Sequence, residues 1–239
     1  MRDPNPTPTS QRDARRRLVL AGAAALALPP AAYADALSSL TSSDATAGIR
    51  AALERGAGAA VDLLGKTDGF WGNERVRIPL PDWLNKAEGL FSMMGRRQQL
   101  DDLHMSINRA AEQAVPEARS LLVGAVKSMS VQDAKSILSG GDNSATLYFE
   151  TKTRAPLATR FLPIVTKVTR KNGLAQQYDG VAQKAQSLGL FKQDASIEHH
   201  VTNRALDGLF LMIGDEEKKI RADPAATGSA ILKKVFGSL

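Results

Sequence analysis

The chain has 239 residues, of which 43% are hydrophobic and only 5% aromatic, so it can bury a large core but has few of the residues that strands favour. It contains no cysteine, which excludes disulfide bonds, thiolate metal ligands and thiol catalysis. The formal charge is +6, but residues 1–34 hold five arginines and two aspartates, so the remainder carries about +3, spread along the chain, and nucleic-acid binding is not expected.

The N-terminal segment has the order of a secretory signal. Three arginines at 15–17 precede an apolar stretch at 18–28, and Ala-Tyr-Ala follows at 32–34. We predict that residues 1–34 are a signal peptide cleaved after Ala34, because the apolar stretch is far shorter than the roughly 20 residues that span a bilayer as a helix. The arginines also fit the twin-arginine pattern, so the general and the twin-arginine routes of export both stay open.

Residues 35–239 are predicted to form a single helical domain, with 35–43 disordered ahead of it. Apolar residues at spacings of three and four predict a first helix that starts with Asp44 as its N-cap and ends at Gly65. Glycines and prolines in 69–81 exclude a continuous helix, so this stretch is predicted to be an ordered loop. A second helix is predicted from Pro81 to Gly95.

The next helices are marked by proline and by capping residues. A helix over 98–115 should break at Pro116 and continue to Met129, and Ser130 with Asp133 forms a capping box for a short helix. Asp142 or Asn143 can cap the one after it.

That helix is expected to be interrupted by Pro156 and Pro163 before Gly173. Further helices are predicted over 174–187, 197–221 and 227–236. Residues 197–221 are apolar on nearly every side, which places that helix at the centre of the fold. With no period-two alternation along the chain, we predict an all-α, compact multi-helix domain whose central helix lies near the C-terminus. No segment beyond the signal is long and apolar enough to be an integral membrane span.

Three parts of the sequence together resemble a known family. They are Val-Arg-Ile-Pro-Leu-Pro at 76–81, Ser-Ile-Asn-Arg-Ala-Ala-Glu at 106–112, and a C-terminal block at 205–213, 223–230 and 233–237. They are similar to a proteobacterial family of signal-bearing proteins catalogued only as a domain of unknown function. The resemblance covers about Asp44 to Leu239 and implies an exported, periplasmic protein. It carries over no activity and no catalytic residues.

One cluster of polar side chains is a candidate site. Asn108, Arg109 and Glu112 lie on one side of their predicted helix, and Asp207 lies inside the most apolar segment. If the cluster faced Asp207, a buried carboxylate paired with Arg109 would be a candidate for chemistry. The alternative is an ion pair that only sets the register of two helices.

The loop over 69–81 offers a second candidate. Phe70 and Trp71, together with Arg75 and Arg77, combine aromatic and cationic side chains as contact surfaces do. The loop could equally be a lid packed onto the core, which we favour.

A metal site is not predicted. His199 and His200 are adjacent and point about 100° apart on a helix, and no histidine lies four residues from either. No cofactor is expected.

The sequence therefore predicts a periplasmic, non-catalytic binding or interaction protein, whose partner is another protein or an apolar small ligand. Two alternatives stay open. One is a hydrolase-like enzyme with a buried carboxylate site at Asp207, Arg109 and Glu112. The other is a structural component of the envelope, which would have a tight core without a pocket and an exposed apolar patch.

Overall fold

A computed structural model describes residues 42–86, 92–93, 95, 97–171 and 196–223. The predicted signal peptide, the helices over 174–187 and 227–236, and almost all of 35–43 lie outside the described residues. Among the described helices, none combines the length and the apolar character that crossing a membrane requires.

The described part of the chain is all-α and contains no strand, which confirms the predicted fold class. A 3-10 turn at Val115–Glu117 interrupts the helical chain at Pro116, where the sequence predicted a break. The helices are α1 (Ser42–Leu64), α2 (Asp82–Lys86), α3 (Arg97–Ala114), α4 (Ala118–Lys127), α5 (Val131–Ser139), α6 (Ser144–Lys171) and α7 (Ile197–Ala222).

Helix α7 lies at the centre of the fold, as its composition predicted. It packs against α6, α1 and α3. Its buried side chains include Val201, Leu206 and Leu209, all without exposed surface. A helix that is apolar on most sides has to be surrounded by other helices, since any exposed face would leave apolar surface in water.

Helix α6 runs antiparallel to α4. The Tyr148 hydroxyl donates to the Ala125 carbonyl at 2.9 Å, and the Arg160 guanidinium donates to the Ser120 hydroxyl at 2.9 Å. These two contacts pair increasing positions on α6 with decreasing positions on α4. Helix α3, which is joined to α4 by the turn at Val115–Glu117, also packs against α6.

Several helix ends were predicted correctly. Ser130 and Asp133 form the reciprocal capping box at the start of α5. Helix α1 ends at Leu64, and the Gly65 amide donates to the Val61 carbonyl at 2.8 Å. Gly95 has a positive φ of 69°, but most residues between it and Lys86 lie outside the described part, so the predicted end of the second helix is not tested.

The predicted start of α1 was wrong, whereas α6 begins directly after Asn143 as predicted but with a capping group that was not predicted. Helix α1 already includes Ser42, so Asp44 lies inside its first turn instead of capping it. At the start of α6, the amides of Ala145 and Thr146 donate to the buried Glu217 carboxylate of α7, at 2.9 Å each. The capping group therefore comes from a helix about 70 residues away in sequence, which local spacing cannot reveal.

The predicted interruption of α6 was also wrong, because Pro156 and Pro163 both lie inside one 28-residue helix. Each proline removes one backbone donor and leaves a carbonyl four residues earlier without its helical partner. Both prolines are exposed, so water can reach that part of the helix. The buried face, with Leu157, Phe161 and Val165, remains continuous.

Gly208 permits the close approach of the loop over 65–81 to α7. A Cβ atom at Gly208 would lie 2.9 Å from Phe70 Cε1 and 3.3 Å from Val76 Cβ. A Cβ at Gly214 on the same helix would meet its nearest neighbour, Thr146, at an ordinary 3.4 Å. The two glycines therefore differ in the space beside them, although both stand inside a helix.

We expect Gly208→Ala to lower the free energy of unfolding by about 1–3 kcal/mol, because the buried Phe70 ring must move. Gly214→Ala should instead leave it unchanged or raise it by up to about 1 kcal/mol, through the better helix propensity of alanine. Urea denaturation followed by circular dichroism measures both. Equal effects at the two positions would contradict the proposed close packing.

Candidate functional site

The segment over 65–81, called here the anchored loop, packs onto α3 and α7. Its apolar side chains Phe70, Val76, Ile78 and Leu80 are buried in the common core. Phe70 has no exposed surface at all. Of the two interpretations offered by the sequence, the structure favours a lid packed onto the core.

Glu112 of α3 holds the first part of the anchored loop. Its Oε1 accepts the backbone N–H groups of Phe70 and Trp71, at 3.1 Å each. Its Oε2 accepts from Arg109 at 2.7 Å, and Arg109 also donates to Asp68 at 2.7 Å. The Glu112 side chain is buried, so this carboxylate supplies acceptors to loop amides that water reaches poorly.

Asn108, one turn earlier on α3, holds the second part. Its Oδ1 accepts the Ile78 N–H at 2.8 Å, and its Nδ2 donates to the Ile78 carbonyl at 3.0 Å and to the His104 carbonyl at 2.9 Å. The side-chain amide thus pairs with the backbone of Ile78 much as a neighbouring strand would. Asn108 is fully buried and every one of these bonds is internal.

Two histidines from different helices contact consecutive carbonyls of the loop. His104 Nε2 lies 3.0 Å from the Ile78 oxygen, and His200 Nε2 lies 2.9 Å from the Pro79 oxygen. A carbonyl only accepts, so each Nε2 carries a proton. Burial lowers the pKa of both imidazoles, which favours the neutral form of each at pH 7.

Trp71 and Arg77 lie at the outer edge of the anchored loop. The Arg77 guanidinium stands 5.3 Å from the centre of the Trp71 ring and donates from Nε to the Trp71 carbonyl at 2.6 Å. The Trp71 ring meets His104 edge to face, with ring centres 5.0 Å apart. These contacts fix the loop against itself and against α3.

Asp207 does not join this cluster. It pairs with Arg154 of α6 at 2.6 Å and more distantly with Arg204 at 3.9 Å, and its side chain is 46% exposed. The buried pair with Arg109, which the sequence left as one of two alternatives, does not form, since Arg109 is engaged by Glu112 and Asp68. Asp207 and Arg77 do line one small cleft of about 140 Å³ beside the loop.

The structure thus brings five of the six predicted site residues together, and their contacts hold the anchored loop in place. Asn108 and Glu112 are engaged by the loop backbone, while Arg109 bridges carboxylates on both sides. The arrangement that the hydrolase-like alternative required, with Asp207 facing Arg109, does not form. Within the described residues, no group of histidines and carboxylates could hold a metal ion.

A separate feature, not predicted from the sequence, is a groove between α3 and α6. Its volume is about 1100 Å³, and it is only partly enclosed by the protein. The apolar part of its lining comes from Met105, Pro163, Ile164 and Val168. The polar part comes from Asp102, Ser106, Arg109, Gln113, Lys167 and Lys171.

This groove could not be found from sequence because its two walls lie at least 50 residues apart. Periodicity identifies which face of each helix is apolar, but not which helices lie side by side. One signal was present: Met105 stands on the polar side of α3, where it is 43% exposed. Exposed methionines are common at surfaces that bind partners.

Fold and site together define an all-α domain with an anchored loop and an open groove. The chain matches a family model over residues 39–237 and belongs to the protein family of unknown function DUF4197. No curated protein and no solved structure was found to match it.

Proposed function

We propose that this protein is exported to the periplasm and acts there as a non-catalytic binding protein, with the groove between α3 and α6 as its binding site. Export is supported by the order of charges, apolar residues and small residues in 1–34. The family match, which begins at residue 39, leaves that segment outside the domain. Binding is supported by the groove.

The observation that carries the proposal is the size of the groove together with its mixed lining. A volume of about 1100 Å³ reaches the upper end of what ligand sites in proteins enclose. Met105 is 43% exposed, so its apolar side chain is in contact with water. Leu103 and Ile107 of the same helix are buried. An exposed apolar side chain in a concave site gains free energy when a partner covers it.

The same groove argues against a purely structural envelope component, which would have a tight core without a pocket. The anchored loop argues against the hydrolase-like alternative, because the bonds of Glu112 and Asn108 are directed to the loop backbone. Binding by the groove accounts for the feature that neither alternative explains.

Mass spectrometry under native conditions tests both parts of the proposal. The full-length gene is expressed, and the protein is purified from the periplasmic fraction without denaturation. We expect the mass of residues 35–239, which reports cleavage after Ala34, together with a second species carrying a bound partner or ligand. Full-length protein recovered only from the cytoplasm would refute export.

Two matched variants locate the bound species. Met105→Glu places a charge in the groove, and Val131→Glu places one on α5 at a side chain of almost equal exposure, 42% against 43%. The bound species should be lost from the first variant and kept by the second. A bound species that survives Met105→Glu, or its absence from the unaltered protein, would refute binding in the groove.

A further inference from the structure

The charges around the groove are unbalanced. Lys167 and Lys171 stand one turn apart on α6, both are exposed, and no carboxylate of the described residues is within ion-pair distance of either. Arg109 pairs with Glu112 and Asp68, neither of which lines the groove. The lysines therefore leave a net positive charge on the α6 wall.

The opposing wall does not cancel this charge. Asp102 is the carboxylate among the described lining residues, and it accepts a hydrogen bond from Gln98 at 2.9 Å. Two lysines against one exposed aspartate favour an anionic partner, and the preference should weaken as salt is added.

The dimensions of the groove indicate the shape of the partner. Its lining runs over 102–113 on α3 and over 163–171 on α6, which at 1.5 Å per residue correspond to lengths of roughly 17 Å and 12 Å. Apolar residues at positions i, i+3 or i+4, and i+7 of a guest helix span about 10 Å, which fits this length.

Because the groove is partly open to solvent, an amphipathic helix fits it better than a small apolar ligand. Sites for small molecules bury most of the ligand surface, whereas this groove is only partly enclosed. An amphipathic helix tolerates that environment, because only its apolar face has to be covered.

We infer that the groove takes an amphipathic helix of a partner protein, with acidic residues flanking its apolar stripe. The apolar stripe covers Met105, Ile164 and Val168, and the acidic residues face Lys167 and Lys171. This inference rests on the proposed function and names the class of partner for the same groove.

A synthetic peptide tests the inference on the periplasmic protein. The probe is an 18-residue fluorescein-labelled helix with leucines at i, i+3, i+4 and i+7 and glutamates beside them. Two further peptides replace the glutamates by lysines or scramble the leucine positions. Fluorescence anisotropy at low salt should show binding of the acidic peptide at least about tenfold tighter than binding of either control peptide, as expected when both charge and apolar face contribute.

A charge-reversal variant provides the decisive comparison. Lys167→Glu with Lys171→Glu should weaken the acidic peptide about tenfold and strengthen the lysine peptide, because the sign of the wall is inverted. Lys127→Glu with Lys135→Glu changes the net charge equally on α4 and α5, where both lysines are exposed, and should leave both affinities within about twofold.

Three results would overturn the inference: no binding of the acidic peptide, equal binding of the scrambled peptide, or equal effects of the two double variants. These failures can be told apart from failure of the proposed function. A small molecule found by mass spectrometry and lost from Met105→Glu would uphold binding in the groove and overturn only the helical partner. A protein without any Met105-dependent bound species would overturn both.

Discussion

Glu112→Ala is expected to lower the free energy of unfolding by about 3 kcal/mol, since it removes the acceptor of two loop amides and leaves Arg109 without its buried partner. The Glu112 side chain is only 4% exposed, so water cannot readily replace the lost carboxylate at the Phe70 amide. Urea denaturation followed by circular dichroism gives the loss. The anchored loop should also open, so trypsin should cut after the exposed Arg75 and Arg77 much faster than in the unaltered protein.

Two variants separate the charge of Glu112 from its position. Glu112→Gln keeps an oxygen that can accept a loop amide but loses the ion pair, and should cost about 1–2 kcal/mol. Glu54→Ala removes an exposed glutamate from α1 and should change stability by less than about 0.5 kcal/mol. If Glu112→Ala and Glu54→Ala unfold at the same urea concentration, the anchored loop does not depend on the carboxylate.

Asn108→Asp should be almost as damaging, with a loss of about 3 kcal/mol at pH 7, although it changes a single side-chain group. The amide nitrogen donates to the carbonyls of Ile78 and His104, and an oxygen in its place would face both of them without a proton. Because a buried carboxyl beside carbonyl oxygens is stabilised by keeping its proton, its pKa should be raised. Its folded pKa would exceed its unfolded pKa, so the loss should shrink as the pH falls from 7 toward 4.

Asn85→Asp is the matched control for that substitution. Asn85 also donates from Nδ2 to a backbone carbonyl, that of Leu80 at 3.1 Å, but the residue is exposed. Water can solvate the introduced carboxylate there, so the loss should stay below about 1 kcal/mol. A pH-independent loss for Asn108→Asp would show that distorted packing, and not the buried charge, is the cause.

The polar cluster on α3 was predicted from sequence only in part. Helical spacing correctly placed Asn108, Arg109 and Glu112 on neighbouring positions, because i+3 and i+4 neighbours share a face. For their partners it offered Asp207 as one alternative and an ion pair that only sets helix register as the other. The actual partners are the backbone amides of Phe70, Trp71 and Ile78, and backbone groups have no sequence pattern that reports where they go.

The two prolines of α6 show that local sequence does not decide whether a helix ends at a proline. A proline in a sequence predicts the loss of one helical hydrogen bond, and this led to an expected break at Pro156 and Pro163. Whether the helix actually ends depends on the packing of the other side chains of that segment. Thr153, Leu157, Phe161 and Val165 are all buried on one face, and that burial holds α6 as one helix.

By itself, the sequence determined the all-α class, the central position of α7, the capping box of α5 and the break between α3 and α4. Each of these depends on interactions within about four residues or on the composition of one segment. Only the tertiary structure decided that Glu112 and Asn108 hold a loop, that Glu217 caps α6, and that α3 and α6 enclose a groove. Each of those features joins segments some 30 to 70 residues apart. Their formation depends on which apolar faces are buried against each other, since burial is non-directional and leaves the pairing of helices to the packing of the whole domain.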